Sequence, residues 1–405
     1  MTTLILGGGA AGMCAAIAAA QAGQRVTVLE RGAKPLKKLG VTGNGRCNLL
    51  NAGAPVYYGD TAFALDVLER CPFDELFSFF EQLGVPLRRE DEGRIYPAAL
   101  QASVVVEALK LRASQLGVET ITGARARAIA RTRGGFTVQA ELEDASRDFR
   151  ADRVIVTVGG AAAPAHGTDG SAYGLLTAFG HRLATPRPAL CALKTGKSRL
   201  SGLSGQRVRA VLTLGERQTS GEVLFGDDAI SGIAAMQLAR FVQSGDSVSL
   251  DLRPALCWTD ADEREIARRL AALAQSRRDR ELCDWLTGLF TAPVARALLQ
   301  AAHLWEPRLP LSSLADDAPR RLARTLCAWR FPLTGVRGFE QAQVTAGGIS
   351  PADFDPATLE SRLCPGLYAA GEVLDVDGDC GGFNLMFAFA TGLLAGRGRT
   401  SPAAG

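Results

Sequence analysis

Six residues near the start of the chain, Gly7-Gly8-Gly9-Ala10-Ala11-Gly12, constrain its fold more than any other feature. The apolar run Thr3-Leu4-Ile5-Leu6 precedes them, and an alanine-rich stretch leads on to Ala22-Gly23. A second β-branched run, Arg25-Val26-Thr27-Val28-Leu29, then ends on the carboxylate of Glu30, 18 residues past Gly12. The order predicts strand, glycine turn, helix, strand and acid, which is a dinucleotide-binding βαβ unit. Gly7 permits the tight turn, Gly9 lets backbone approach a pyrophosphate, and Gly12 lets helix and strand pack closely. Ala10 and Ala11 open the helix, whose free N–H groups and positive dipole end face the phosphates. Glu30 stands where an acid accepts hydrogen bonds from ribose hydroxyls. A glycine turn in a similar fold without ligand explains the turn but not the acid.

A chain of 405 residues can build two or three domains around a large core. With 47% hydrophobic and 21% charged residues it reads as globular, and a net charge of +3 points to neither nucleic acid nor membrane. A core strand begins almost at once, which leaves no room for a signal peptide. The longest apolar stretch, Leu385 to Ala395, suits a buried helix better than a membrane span. Nine cysteines without a C-x-x-C pair indicate reduced thiols and a cytoplasmic location. Three histidines make a His/Cys metal site improbable, and none is expected.

Beyond Glu30, Arg31 and Lys38 flank a run from Leu39 to Asn51 that holds Gly40, Gly43 and Gly45. Its centre, Asn44-Gly45-Arg46-Cys47-Asn48, reads as a loop that lays backbone against a flat or anionic ligand. Arg46 offers charge-assisted donors and Cys47 is a candidate to face a reactive ring. Residues 60 to 84 and 102 to 115 read as helical, and 85 to 96 as an exposed turn or hairpin. Strand-like pieces follow at 123 to 130, which contains Ala126, and at 136 to 142. The buried strand Arg153 to Val158 puts Thr157 and Gly159 at its end. From Thr185 to Phe339 the pattern changes to antiparallel strands and charged helices, the latter over 260 to 299 and 319 to 329. Alternation then returns, with Gly371-Glu372 ending a strand and Asp379 preceding the second glycine-led helix, Gly382-Phe383-Asn384-Leu385. Its N-terminus repeats the logic of the first.

Taken together, these pieces resemble flavoproteins of the glutathione-reductase-like class, and more closely the YhiN-like (BaiN/RdsA-like) family. The resemblance rests on Gly7 to Gly12, Thr42-Gly43-Asn44-Gly45-Arg46-Cys47-Asn48 and Glu92-Gly93-Arg94-Ile95-Tyr96-Pro97. It continues in Val344-Thr345-Ala346-Gly347-Gly348, in Gly371-Glu372-Val373-Leu374-Asp375-Val376-Asp377-Gly378 and in Gly381-Gly382-Phe383-Asn384-Leu385. It implies an α/β fold: a Rossmann-like FAD-binding domain (1–189 and 339–405), an inserted β-barrel-like domain (190–255 and 305–338) and a small helical domain (256–304). It implies that the insertion forms a lid over FAD. It also implies that Glu372 contacts the ribityl–pyrophosphate region and that the helix after Gly382 points at the isoalloxazine pyrimidine edge. The chain departs from the family at Leu50, where Thr is common. It departs again at Phe225-Gly226-Asp227-Asp228-Ala229, where a Thr-His-Tyr-Gly-like run is common.

The implied activity is FAD-dependent hydride transfer on a small molecule, by amine oxidation or reduction of a conjugated double bond. With no second GxGxxG unit, either NAD(P)H docks as a transient electron donor or the substrate itself reduces the flavin and oxygen reoxidises it. The alternative is an enzyme reducing uridine to dihydrouridine in ribosomal RNA, guided by the basic helices. The acids interleaved on those helices count against it. No acid/base constellation stands out, so the catalytic residues are left open.

Overall fold

The computed structural model describes residues 1–142 and 145–398. They form two compact units, one of Met1–Pro188 together with the chain from Ala342 onward, the other Ala189–Gln341.

The first unit is built on strand β1 (Thr2–Leu6), helix α1 (Ala10–Gln21) and strand β2 (Arg25–Glu30). Strands β3 (Glu119–Thr122), β4 (Arg153–Val156) and β5 (Leu367–Ala369) complete a five-stranded parallel sheet in the order β5-β4-β1-β2-β3. Ile5 faces Val28 on one side and Ile155 on the other, so the β-branched runs of the sequence meet in register. The chain closes on helix α2 (Phe383–Arg397). Helix α1 is buried from Ala11 through Ala19, and α2 from Met386 through Gly396, which is why neither shows a polar stripe.

Small residues let these two helices touch. A Cβ on Gly392 would lie 2.3 Å from Ala11 O, and one on Gly396 would lie 2.3 Å from Ala15 O. Four residues of α1 thus match four of α2 in the same direction, so the helices run parallel. Gly392 lies nine residues past Phe383 while Ala11 lies one past Ala10, so α2 starts about 12 Å before the start of α1 along their shared direction.

The stretch 60 to 84 is two helices, Thr61–Arg70 and Phe73–Gln82, because Pro72 cannot continue the first. The hairpin expected at 85 to 96 is present as strands Leu87–Arg89 and Arg94–Pro97. A third strand, Ala145–Ala151, extends the sheet of Ala124–Thr132 and Gly135–Leu142. Its alternating charges hid it from a hydrophobic-period reading.

In the second unit six strands close a barrel: Leu193–Thr195, Ala229–Ser231, Arg217–Phe225, Arg207–Leu214, Ser247–Asp251 and Trp329–Val336. Phe225, Trp329 and Phe331 pack inside it. The helical stretch at 260 to 299 breaks into Glu263–Ser276 and Ala292–Ala301, separated by turns around Trp285, and Ala318–Cys327 is the further basic helix. Trp285 is fully buried and its indole donates to Leu270 O at 3.0 Å. Among the described residues no helix is long and apolar enough to cross a membrane.

Candidate cofactor site

At the carboxyl end of β1 the backbone turns through Gly7 at φ +106°, a conformation that a side chain resists. A Cβ there would meet Thr157 O at 2.5 Å. Thr157 Oγ1 donates to Leu6 O (3.0 Å) and Gly7 O (2.8 Å), tying β4 to the turn. Gly12 is equally constrained, since its Cβ would lie 1.9 Å from Gly7 O. Gly9 differs: its backbone is ordinary (φ −81°), and a Cβ would meet nothing within 4 Å. Open space therefore lies beside the start of α1, where no side chain caps the helix. Glu30 reaches the same turn, accepting from Gly8 N (2.8 Å) and Gly32 N (2.6 Å) with its two oxygens. Each oxygen keeps a lone pair for a ribose hydroxyl. These residues fit an adenine dinucleotide.

Arg31 donates through Nε to Gly167 O (2.7 Å) and pairs with Asp169 (2.8 Å), which also accepts from Ser171. Gly159, at φ +75°, packs against Thr168. Lys38 meets Glu372 at 2.7 Å, and Thr345 donates to the same carboxylate through N and Oγ1, both at 3.0 Å. Thr345 Oγ1 in turn accepts from Ala161 N and Ala162 N. Gly371 donates to Thr391 Oγ1 (3.0 Å) and lies close over Ala11. Lys38, Gly371 and Glu372 thus join the opening turn, while Ala126 sits at a register shift on its strand next to Arg125, which donates to Ser171 Oγ (3.1 Å).

The second helix end is assembled from farther away. Gly381 and Gly382 take φ of +139° and +106°, and a Cβ on Gly382 would meet Leu50 O at 2.4 Å. No side chain caps α2 either. Asn51 donates to Gly381 O (2.8 Å) and Glu92 O (3.3 Å) and accepts from Gly53 N (2.7 Å). Tyr57 donates to Phe383 O (2.9 Å), and Tyr58 to Asp379 (3.0 Å). Asn384 closes the turn by bonding both N and O of Gly378 at 2.8 Å. Leu385 is half-buried in the first turn. Asn51 and Tyr57 carry this geometry without having been named as site residues; Thr345 lay in the Val344-to-Gly348 motif, and the glycine-rich run ended on Asn51.

The loop between them is a tight 3-10 turn over Leu39–Gly45, with Gly43 and Asn44 left-handed. Gly45, at φ +81°, has open space beside it. Arg46 is already engaged: it pairs with Glu90 (2.9 Å) and its guanidinium lies 4.6 Å over the Tyr96 ring. Cys47 is fully buried, and burial pushes its thiol up to about 12. It has the character of a small core residue, not of a thiolate facing a ring. Among the described residues, Asn48 Oδ1, buried beside Gly382, finds no hydrogen-bond partner.

The model of the HI0933-like protein Rossmann domain matches residues 1–398. The chain belongs to the HI0933-like family. Through it the chain falls among the FAD-dependent oxidoreductases that the sequence motifs resemble. It is 36% identical over 404 residues to a 3-dehydro-bile acid delta(4,6)-reductase of Clostridium scindens, covering 97% of each. It is 27% identical over 395 residues to the ribosomal RNA dihydrouridine synthase of Escherichia coli, covering 96% of this chain and 95% of that one. Among solved structures, the 3-ketosteroid-delta4-(5alpha)-dehydrogenase of Rhodococcus jostii is similar at TM-score 0.53 and 16% identity, over 98% of this chain and 95% of that one. The 3-ketosteroid delta1-dehydrogenase of Sterolibacterium denitrificans matches at 0.51 and 12%, over 98% of each. At such identities the structures bear on the fold alone, and both share the family's α/β architecture.

Proposed function

We propose that the protein is an FAD-dependent reductase of conjugated carbon–carbon double bonds in small apolar ketones of the bile-acid class, with NAD(P)H as transient electron donor. The observation that carries the cofactor is the pair of uncapped, parallel helix ends offset by about 12 Å. An extended dinucleotide spans such a gap. Gly9 at the α1 end would face its pyrophosphate, Glu30 its adenosine ribose, and Gly382 at the α2 end its ring system. When bound, FAD supplies hydride transfer at its isoalloxazine ring. The free N–H groups and dipole of α2 stabilise negative charge on the ring's pyrimidine edge by roughly 0.3–2 kcal/mol. Gly7, Ala10, Ala11, Gly12, Glu372 and Lys38 shape the pyrophosphate end; Asn44, Gly45, Asn48 and Phe383 frame the ring end.

The substrate class rests on the greater likeness to the bile acid reductase than to the RNA enzyme. The basic helices agree. Arg268 and Arg269 pair with Glu265, Arg324 pairs with Glu263, and Arg277 and Arg321 are spent on backbone carbonyls. What remains is a poor stripe for a phosphate backbone. Nine unpaired cysteines suit a cytoplasmic enzyme. The second unit is read as a β-rich part and a helical insertion divided near 255, and ribosomal RNA stays as the other substrate to test.

Anaerobic titration of the purified yellow protein tests the reading. Flavin bleaching by NADH or NADPH, then reoxidation by a 3-keto-4,6-diene bile acid, is expected. Bleaching by small amines but by neither nicotinamide would replace the reductase with an oxidase. Reoxidation only by uridine-containing ribosomal RNA would bring forward the RNA enzyme.

A further inference from the structure

The structure sets the Glu92-to-Pro97 motif between the two segments that frame the ring end. Tyr96 lies on strand Arg94–Pro97, which pairs with Leu50–Asn51 through Leu50 opposite Ile95. Leu50 O is the atom that Gly382 presses against. On the other side, the Tyr96 ring edge lies 3.8 Å from where a Cβ on Gly43 would stand. Arg46 holds the ring from above at 4.6 Å, itself fixed by Glu90. Arg94 flanks the strand and approaches within 4.0 Å of the Cβ position of Gly381.

Tyr96 as a residue is only 8% exposed, but its hydroxyl is not sealed in and bonds to nothing among the described residues. Tyr57 makes the contrast, since its hydroxyl is committed to Phe383 O. A rigidly held phenol with an uncommitted proton, facing accessible space between the 42–48 loop and the 380–382 turn, is a proton donor without an internal acceptor. We propose that Tyr96 donates the proton to the substrate in the reductive step. This inference rests on the reductase reading given above.

Reduction of a double bond conjugated to a ketone adds a hydride to the carbon remote from the carbonyl, supplied by the reduced cofactor. The π pair moves to the neighbouring carbon, which takes the proton from Tyr96 Oη; the O–H bond breaks and a C–H bond forms. Water returns a proton to the tyrosinate. Burial holds the phenol's pKa up, with smaller pushes in the same direction from Glu90 and Cys380, while Arg94 and Arg46 draw it down; the two guanidinium groups thus favour the tyrosinate left after donation.

Tyr96→Phe keeps the ring and its contact with Arg46, so it separates the hydroxyl from the fold. The holoprotein is reduced with dithionite and mixed anaerobically with a 3-keto-4,6-diene bile acid. The variant is expected to retain its FAD content and spectrum and to bind the corresponding saturated ketone, read from the flavin difference spectrum, within about threefold of wild type. Its reoxidation is expected to slow by about a hundredfold or more, the range for loss of a general acid. The wild-type rate should also fall at alkaline pH as the phenol ionises, and the variant's should not. Reoxidation within threefold of wild type, or an unchanged pH profile, overturns the role of Tyr96 while leaving the reductase intact. Loss of ketone binding to the same extent as loss of rate would make Tyr96 a binding group and also overturn it. A wild-type protein that the dienone never reoxidises ends the reductase reading itself.

Discussion

Gly7–Gly12 and Gly381–Asn384 each lead the chain into a buried, uncapped helix, but they are held in different ways. The first turn is nearly self-contained: Gly12 presses on Gly7, and Glu30 at the end of the adjacent strand fastens Gly8. The second turn depends on residues more than three hundred positions away, namely Leu50, Asn51 and Tyr57. A turn built from its own sequence tolerates change elsewhere. A turn built from remote side chains links the ring end of the site to the packing of the 50–60 region.

Within the first turn, two glycines should give opposite results. Gly9→Val places a side chain in open space beside an ordinary backbone. It should abolish FAD retention while the melting temperature stays within a few degrees of the apoprotein's. Gly12→Ala drives a methyl group into Gly7 O and should cost about 3 kcal/mol or more, because backbone cannot yield as a side chain can. Flavin absorbance after gel filtration and thermal melts of the apoproteins check both. A Gly9→Val protein that keeps its flavin would remove the pyrophosphate from this turn.

Across the comparison, Gly382→Ala should unsettle the ring end. Its left-handed φ and the approach of Leu50 O together cost about 2–4 kcal/mol, and the loss should appear both in apoprotein stability and in the flavin spectrum. Asn51→Ala should cost less, about 1–3 kcal/mol, for leaving Gly381 O and Gly53 N without their partner. If the second turn were as self-sufficient as the first, Asn51→Ala would leave the flavin spectrum and chemical-denaturation midpoint unchanged.

This contrast also explains what could be read from the amino-acid order. The β1–α1–β2 unit is local: apolar period, glycine spacing and a carboxylate at a fixed distance specify it within thirty residues. The final helix was legible for the same reason, as an apolar run behind two glycines. Strand Ala145–Ala151 was not, because its exposed arginines and aspartate break the alternation while backbone pairing with Gly135–Leu142 still forms it. Arg46 and Cys47 show the limit of motif reading at the site. Their positions beside a glycine loop suggested ligand contacts, but a guanidinium beside Glu90 prefers that partner, and a thiol with no exposure has little chemistry. Asn51 and Tyr57 could not be ranked from sequence, since their partners lie at the other end of the chain.

The smallest expected effect concerns charge, and it falls on the first end alone. Asp169 binds Arg31 and Ser171 close to the β2 terminus. Partial burial pushes its carboxyl up, but the bonds from Ser171 and Arg31 outweigh this and hold it at about 2. That lies below the value of about 3.9 for an unfolded aspartate. The stabilisation is therefore fully present above about pH 4 and is lost as pH falls toward 2. With 40% of the side chain exposed, solvent screening keeps it under ~1 kcal/mol. Asp169→Asn should melt slightly below wild type at pH 7, and the gap should narrow at pH 3, where the unfolded chain's aspartate takes up a proton that the folded one still refuses. The amide and phenol bonds of Asn51 and Tyr57 titrate in neither range, so Asn51→Ala should show the same deficit at both pH values. A gap for Asp169→Asn that is equally wide at pH 3 would mean that Arg31 is held by Gly167 O and not by charge.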